Sequence, residues 1–316
     1  MVRKLVTALV FSCCVLSAKA ACTGSDSAAG CANFYTNPQS NAAIWVNRNL
    51  SDFRAEAINT HIAGVPAAKW FGGWIGNIGL SVNEYVGAAA LQDKTPILVA
   101  YNIPNRDCGQ HSAGGADSVN AYKTWISAFA AAIGNREAIV ILEPDALPQI
   151  DCLKPQEQTN RYGLIRHAIM AFKTAAPKAW VYLDIGNSGW LAANEAGKRL
   201  LSVGVNETRG FSLNVSNFKT DDDSRNYGNS INQYLEKYGG FQKNFVVDTS
   251  RNGKGNLGKT WCDPVGRKIG TPTRVNAAGY QPEMALWIKS PGNADGCAGT
   301  AGSFIPDIAF KMITGD

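Results

Sequence analysis

Residues 138–147 read AIVILEPDAL, an apolar run followed at once by two acidic residues around a proline. A run that is apolar at every position predicts a strand covered on both faces, which is typical of a parallel sheet between helices. Six further runs of this kind bring the predicted strands to seven, and they begin at Ala42, Pro96, Ala179, Gly210, Asn244 and Glu283.

Apolar residues with helical spacing fill several of the stretches between these strands. Helices are predicted within residues 117–133, 156–175, 192–203 and 229–238. Strands that alternate with helices indicate an α/β protein, either a barrel or a doubly wound sheet. We expect one domain, because the sequence contains no internal repeat and no linker rich in proline or serine.

The amino end has the layout of a signal peptide. Two basic residues precede an apolar run, and Ala18 and Ala20 stand at the spacing that a signal peptidase recognises. We therefore expect residues 1–20 to be removed, residues 21–316 to form a single domain, and the protein to be secreted.

The charge and cysteine content limit the partners and cofactors. Of the 30 basic residues, three lie in the predicted signal peptide, which leaves a nearly neutral chain with 25 acidic residues and argues against nucleic acid as a partner. No later apolar stretch is long enough to span a membrane. Six cysteines would remain, and since none forms a C-x-x-C pair and no histidines have ligand spacing, they predict disulfides. We expect no metal and no cofactor.

Polar side chains follow the predicted strands where each strand ends. These residues are Asn47, Asn102, Asp145, Asp184, Asn214, Asp248 and Lys289. In a parallel barrel the carboxyl ends of the strands meet on one face, which is therefore the predicted site.

Two aspartates have settings suited to acid–base chemistry. Asp145 is followed by Ala-Leu-Pro, so loss of hydration would favour its protonated form. Asp107 lies beside Arg106 on a loop that also carries Cys108. Either aspartate alone is better explained as the cap of a following helix. Their convergence with aromatic residues favours a catalytic pair.

Tryptophans in glycine-rich loops predict flat surfaces for stacking sugar rings. Four of the eight tryptophans have this setting, namely Trp70, Trp74, Trp190 and Trp261. The other four lie in periodic segments, where packing in the core is expected.

The sequence does not support two other catalytic motifs. Residues 253–260 (GKGNLGKT) match a phosphate-binding loop, but Trp-Cys-Asp-Pro follows where a helix should begin. The nucleophile elbow G-x-S-x-G is absent, and three histidines offer no convincing triad. Hydrolysis by paired carboxylates remains.

Seven motifs in order resemble glycoside hydrolase family 6, the inverting β-1,4-glucanases. They are AYNIPNRDC, VILEPDAL, YLDIGNSGWL, LNVSNF, VVDTSRNG, TWCDPVG and LWIKSPGNADGC. The resemblance covers nearly the whole chain after residue 20. It implies a distorted seven-stranded parallel α/β barrel with an open substrate cleft at the carboxyl ends of the strands.

The resemblance also implies roles for individual residues. Asp145 matches the general acid, and Asp107 matches the carboxylate that keeps this acid protonated. Asp295 matches a proposed base, although the proton of the attacking water could instead pass through a second water to Asp107. Tyr101 matches the tyrosine under the distorted sugar, and Ser112 matches the serine that helps to hold the water.

Substrate-binding residues and disulfides follow from the same resemblance. Residues expected to contact the glucan are Trp70, Trp190, Trp261, Asp184, Asn214, Arg251, Lys289 and Arg106. The implied disulfides are Cys108–Cys152, Cys262–Cys297 and Cys22–Cys31. The chain departs from the usual family pattern at Asn187, Asn293 and Ala193.

These observations predict a secreted, monomeric endo-β-1,4-glucanase whose partner is a β-1,4-glucan or a cello-oligosaccharide. Endo action is expected because only 21 residues follow Asp295, which leaves little chain for a roof over the cleft. A cellobiohydrolase, a non-catalytic glucan-binding protein and an intracellular phosphate-handling enzyme remain as alternatives.

Overall fold

The computed structural model describes residues 33–256 and 260–316. The predicted signal peptide and the Cys22–Cys31 pair lie outside the described residues.

A mostly parallel sheet forms the centre of the molecule. Its strands are β1 Lys69–Gly72, β2 Ile97–Tyr101, β3 Ala138–Leu142, β4 Ala179–Asp184, β5 Gly210–Leu213, β6 Asn244–Asp248, β7 Arg274–Val275 and β8 Met284–Leu286. The order is β1-β2-β3-β4-β5-β6-β8-β7. Seven strands are parallel, and the two-residue β7 adds to β8 in the antiparallel direction. The predicted parallel α/β architecture is confirmed, and the eighth strand is too short to leave a pattern in the sequence.

The sheet curls into an open barrel between its first strand and β8. At this seam the main-chain N–H of Ala68 donates to the carbonyl of Trp287 at 2.8 Å. The indole Nε1 of Trp70 donates to the carbonyl of Ile288, also at 2.8 Å. These bonds join the first strand region to the residues just after β8, although β1 and β8 do not pair as neighbouring strands of the sheet.

Helices cover the outside of the sheet. They are α1 Asn41–Arg48, α2 Ala55–Ile58, α3 Ile78–Ala90, α4 Val119–Ile133, α5 Pro155–Ala175, α6 Ala193–Val203, α7 Asp221–Gly239 and α8 Pro306–Thr314. The predicted helices match α4 to α7, but α7 begins earlier than expected. Thr220 caps its first turn by accepting from the N–H of Asp223 at 3.0 Å.

One predicted strand was wrong. The apolar run at Ala42 lies in α1, where the Ser40 hydroxyl accepts from the N–H of Ala43 and caps the helix. Ala42 and Val46 are its buried residues, at helical spacing. Asn47 is consequently an exposed helical residue and not part of the strand ends. The first strand is instead KWFG at residues 69–72.

The strands are buried on both faces, as their composition predicts. On β2, Leu98 and Ala100 pack with the helices, whereas Ile97 and Val99 point into the barrel with residues of β3 and β8. Burial of each such aliphatic side chain contributes about 1.5–3 kcal/mol. The result is a rigid frame that presents the strand ends as one face. Within the part of the chain that the structure describes, none of the helices is both long and apolar enough to cross a membrane.

Candidate active site

A cleft of about 1270 Å³ runs across the carboxyl ends of the strands. It brings together ten of the residues named from the sequence, namely Trp70, Tyr101, Arg106, Asp107, Ser112, Asp145, Trp190, Trp261, Lys289 and Asp295. Three others, Asp184, Asn214 and Arg251, are buried behind the cleft wall.

Asp145 follows β3 on a tight turn. Its φ is +69° and that of Glu143 is +49°, so the turn uses left-handed backbone that side chains rarely adopt. The Asp145 side chain lines the cleft. Burial raises its pKa well above the usual aspartate value, and the nearby charges of Asp184 and Asp107 raise it further. Lys289 and a hydrogen bond with Tyr101 oppose this shift without cancelling it.

Asp184, at the end of β4, supports Asp145 from below. Its Oδ2 accepts from the N–H of Asp145 at 2.9 Å and from the N–H of Gly186 at 3.3 Å. Burial raises the pKa of Asp184 to about 7, although these hydrogen bonds act in the opposite direction. Asp184 therefore acts on Asp145 rather than directly on a ligand.

Asp107 lies on the loop after β2. Its Oδ2 accepts from the N–H of Ser112 at 2.7 Å, and its Oδ1 accepts from Nε2 of Gln149 at 3.2 Å. The disulfide Cys108–Cys152, with a Cα–Cα distance of 6.2 Å, ties this loop to the segment after β3. The two aspartates of the predicted pair therefore sit on loops that are covalently joined.

Arg106 holds the same loop in place. Its Nε donates to the carbonyl of Ser112 at 2.7 Å and one terminal nitrogen donates to the carbonyl of Tyr101 at 3.0 Å. Its guanidinium lies 4.8 Å from the centre of the Tyr101 ring and 5.1 Å from that of Trp74. Trp74, one of the four loop tryptophans predicted to stack on sugar rings, is 55% exposed and lines the cleft.

Aromatic rings flank the aspartates. The rings of Trp70 and Tyr101 meet edge to face, with centres 5.2 Å apart. Trp190 and Trp261 are 40% and 41% exposed on the cleft wall. Exposed indoles of this kind offer flat apolar faces with a polar edge, which suits a sugar ring. The four tryptophans expected in the core, Trp45, Trp125, Trp180 and Trp287, pack there.

Asp295 is held between two cations. Its carboxylate lies 2.8 Å from Arg251 and 2.8 Å from Nζ of Lys289. Burial alone would raise its pKa, but the charges of Arg251 and Lys289 outweigh burial and lower the pKa to about 2. Asp295 is therefore ionised at any ordinary pH and is a weak proton acceptor.

Asp263 has a role that the sequence did not suggest. Its Oδ1 accepts from the N–H of Asp295 at 2.6 Å. Its Oδ2 accepts from the next three main-chain N–H groups, residues 296–298, at 3.2, 2.9 and 2.8 Å. The adjacent disulfide Cys262–Cys297 joins the same two loops. An acidic residue next to a cysteine in TWCDP was the only signal available from the sequence.

Glu143 is a second buried carboxylate that the sequence analysis missed as a functional group. It accepts from the N–H of Asn102 at 3.0 Å and from that of Ile103 at 3.0 Å, and so joins the end of β3 to the end of β2. Burial raises its pKa to about 7, against the effect of these two hydrogen bonds.

Asn214 lies behind the cleft, and two of the three residues that depart from the family pattern line it. The side chain of Asn214 donates to the carbonyl of Asp248 at 2.8 Å and accepts from the N–H of Lys219 at 2.9 Å, so it braces a loop. Asn187 and Asn293 both line the cleft. Ala193 is the first residue of α6.

The chain is similar to known glycoside hydrolases over most of its length. The sequence profile of "Glycosyl hydrolases family 6" matches residues 29–307. Endoglucanase 1 of Streptomyces halstedii is 50% identical over 89% of this chain and 88% of its own length. Exoglucanase 3 of Agaricus bisporus is 25% identical over 82% of this chain and 70% of its own length.

A solved structure is similar over the same region. It is the endoglucanase Cel6 of Mycobacterium tuberculosis in complex with methyl-cellobiosyl-4-deoxy-4-thio-β-D-cellobioside. The TM-score is 0.83 at 36% identity, and the match covers 90% of this chain and 97% of that one.

Proposed function

Because the chain belongs to glycosyl hydrolases family 6, we propose that it hydrolyses β-1,4-glucosidic bonds in cellulose or a related β-glucan, with inversion at the anomeric carbon. One observation carries the proposal. Asp145 lines a cleft flanked by tryptophans, and its surroundings favour the protonated form of its carboxyl.

Asp145 is the general acid in this proposal. It donates its proton to the oxygen of the bond that breaks, so that the departing sugar leaves as an alcohol. Burial and the charges of Asp184 and Asp107 raise the pKa of Asp145 well above the usual aspartate value and so favour its protonated form. The Asp107 charge also stabilises the positive charge that develops on the sugar ring at the transition state.

Asp107 is the better candidate for receiving the proton of the attacking water. Asp295 has a pKa lowered to about 2 and is paired with Arg251 and Lys289. Among the residues that the structure describes, Asp107 instead accepts from neutral donors, the N–H of Ser112 and the amide of Gln149. Inversion requires space for a water opposite the acid, with carboxyl groups typically about 6.5–9.5 Å apart. In this proposal the proton of the attacking water passes through a second water to Asp107.

The aromatic residues supply binding energy. Trp70, Trp190 and Trp261 stack successive glucosyl units, and Tyr101 lies beside the unit that reacts. Binding at units distant from the reacting bond can offset the cost of twisting the central ring toward the transition state. Lys289 and Arg106 line the same cleft and offer hydrogen-bond donors to sugar hydroxyls.

We favour endo action over release of cellobiose from chain ends. The relative from Streptomyces halstedii, 50% identical over most of the chain, is named an endoglucanase. Viscosity of a soluble cellulose derivative should fall well before much soluble sugar is released. Sugar release without an early fall in viscosity would favour the cellobiohydrolase alternative.

Secretion as a monomer after removal of residues 1–20 is part of the proposal. The layout of the amino end supports it, and so do the disulfides, which persist in oxidising compartments.

The anomeric form of the products tests the reaction. NMR of a soluble cello-oligosaccharide during hydrolysis should show the α-anomer first. Initial β-anomer would refute inversion. The substitution Asp145→Asn should abolish hydrolysis and retain binding of the oligosaccharide. Binding without hydrolysis by the unsubstituted protein would favour the glucan-binding alternative.

A further inference from the structure

The backbone of the loop that carries Asp107 and Ser112 is conformationally strained. Three residues other than glycine have positive φ here, namely Asn105 at 55°, Asp107 at 54° and Cys108 at 48°. Such conformations persist only where surrounding contacts hold them. Arg106 holds this loop from within, and the Cys108–Cys152 disulfide ties it to the segment after β3, as described above. Neither contact joins the loop to the segments that follow β6 and β8.

His111 provides a contact at the tip. Its Nε2 lies 3.7 Å from Sγ of Cys297, and its ring centre lies 5.8 Å from that of Trp261 in an edge-to-face arrangement. The chain approaches so closely that a Cβ at Gly296 would lie 2.6 Å from Cβ of His111. Glycine at this position therefore leaves the space that the histidine occupies.

The contact spans separate parts of the barrel. His111 follows β2, whereas Trp261 follows β6 and Cys297 follows β8. Neither β6 nor β8 is next to β2 in the sheet. All three residues line the cleft or border it, so the His111 contact links its two walls.

We propose that His111 is a positioning residue that fixes the tip of this loop and, through it, the Asp107 carboxylate. Ser112 follows His111 directly, and its N–H donates to Oδ2 of Asp107 at 2.7 Å. Movement of His111 away from Trp261 and Cys297 would draw Ser112 from Asp107. The carboxylate would then lose its shortest hydrogen bond. The effect on turnover rests on the proposed function, whereas the effect on loop order does not.

Other assignments for the same group of residues are weaker. His111 lies near two cysteine sulfurs, a grouping that could hold a metal ion if the sulfurs were thiolates. Cys262 and Cys297 form a disulfide, so the contact of His111 with them is one of packing.

Hydrogen exchange followed by mass spectrometry tests the proposal on the full chain. The substitution His111→Ala should speed exchange in peptides covering residues 105–115 by about three- to ten-fold, because one aromatic contact is lost. His111→Phe should restore most of the protection, since it keeps a ring against Trp261. Gly296→Ala should also speed exchange there, because its Cβ would displace the histidine and because a side chain at a φ of +133° strains the backbone. His61→Ala, at an exposed histidine elsewhere in the chain, is the matched control.

Kinetics on a soluble cello-oligosaccharide provide the second measurement. kcat should fall in the order wild type, His111→Phe, His111→Ala, with a smaller change in KM. Unchanged exchange in residues 105–115 of both His111→Ala and Gly296→Ala would overturn the proposal. So would faster exchange with unchanged kcat. Absence of hydrolysis by the unsubstituted protein would refute the proposed function, and the exchange measurement would still test the role of His111.

Discussion

The main-chain N–H of Asp145 donates to Oδ2 of Asp184 at 2.9 Å, so one acidic residue holds the backbone of another. The Asp184 side chain is buried beneath the cleft, whereas the Asp145 side chain lines it. Asp184 consequently has two effects: it fixes the direction of Asp145, and its negative charge raises the pKa of Asp145.

The substitution Asp184→Asn separates these effects. The amide oxygen can still accept from the N–H of Asp145, but the charge is lost. Asp184 is ionised only above its pKa of about 7, so the change should affect the alkaline side of the pH–activity profile. We expect this limb to move to lower pH by on the order of one unit, because Asp145 would lose its proton more easily.

The pH profile of kcat for a soluble oligosaccharide checks this prediction. Asp184→Ala, which removes both the charge and the acceptor, should also reduce kcat at the optimum. An alkaline limb that stays in place in Asp184→Asn would show that Asp184 does not control the proton of Asp145.

Strands could be predicted from the sequence where an apolar run lies next to a predicted helix. The runs at residues 138–142 and 244–248 were correctly predicted as buried strands because predicted helices precede and follow the first and precede the second, and Asp145 after the first run lines the cleft. The run at Ala42 was ambiguous because a short apolar segment fits either a strand or a helix. The Ser40 cap favours the helix. The strand KWFG at residues 69–72 was overlooked because Gly72 and the following Gly73 are typical of a loop.

The site was predictable only for side chains that face the cleft. Asp263 and Glu143 act by accepting main-chain N–H groups from distant loops, and no sequence pattern records such bonds. Asp184 and Arg251 were named as ligands of the glucan because the sequence cannot distinguish a residue in the cleft wall from one behind it.

Glu143 should make stability depend on pH around neutrality. Its pKa rises from 4.5 to about 7 on burial, so the folded protein holds a proton that the unfolded chain releases. The contribution of Glu143 to the stability of the fold should therefore be greatest below pH 4.5. It should decline as the pH rises from 4.5 to about 7. At about 1.4 kcal/mol per pH unit the decline amounts to about 3 kcal/mol.

Urea unfolding at several pH values measures this effect. Glu143→Gln should lose the part of the decline that Glu143 causes, and Glu137→Gln is a control at a residue outside the core. An identical decline in Glu143→Gln and the unsubstituted protein would contradict the prediction.

Asp295 should matter for stability as well as for activity. Removal of its charge by Asp295→Asn leaves Arg251 and Lys289 buried without their partner, which costs about 3–5 kcal/mol for a buried pair. Asp107→Asn breaks no ion pair, so it should reduce kcat by about 100-fold or more with a much smaller loss of stability. Thermal unfolding and kcat, measured on both variants, separate the two roles. Equal losses of stability would refute this distinction.

Asp263 and the Cys262–Cys297 disulfide should both hold together the loops around residues 262–263 and 295–298. Asp263→Ala leaves four N–H groups without their acceptor, and we expect a loss of about 1–3 kcal/mol together with reduced kcat. Asp263→Asn, which keeps one carbonyl oxygen, should be milder. Denaturant unfolding with the disulfide intact is the measurement, and full stability in Asp263→Ala would show that the disulfide alone suffices.

Trp74 should contribute to binding rather than to bond cleavage. It is exposed in the cleft and stacks against Arg106, so its free face can take a sugar ring. Trp74→Ala should raise KM for a long cello-oligosaccharide by about three- to ten-fold, the loss expected for one aromatic contact, and leave kcat nearly unchanged. Tyr238→Ala removes an aromatic side chain that is 60% exposed on α7, away from the cleft, and serves as the control. A fall in kcat with constant KM would instead place Trp74 among the residues that position Arg106 and the Asp107 loop.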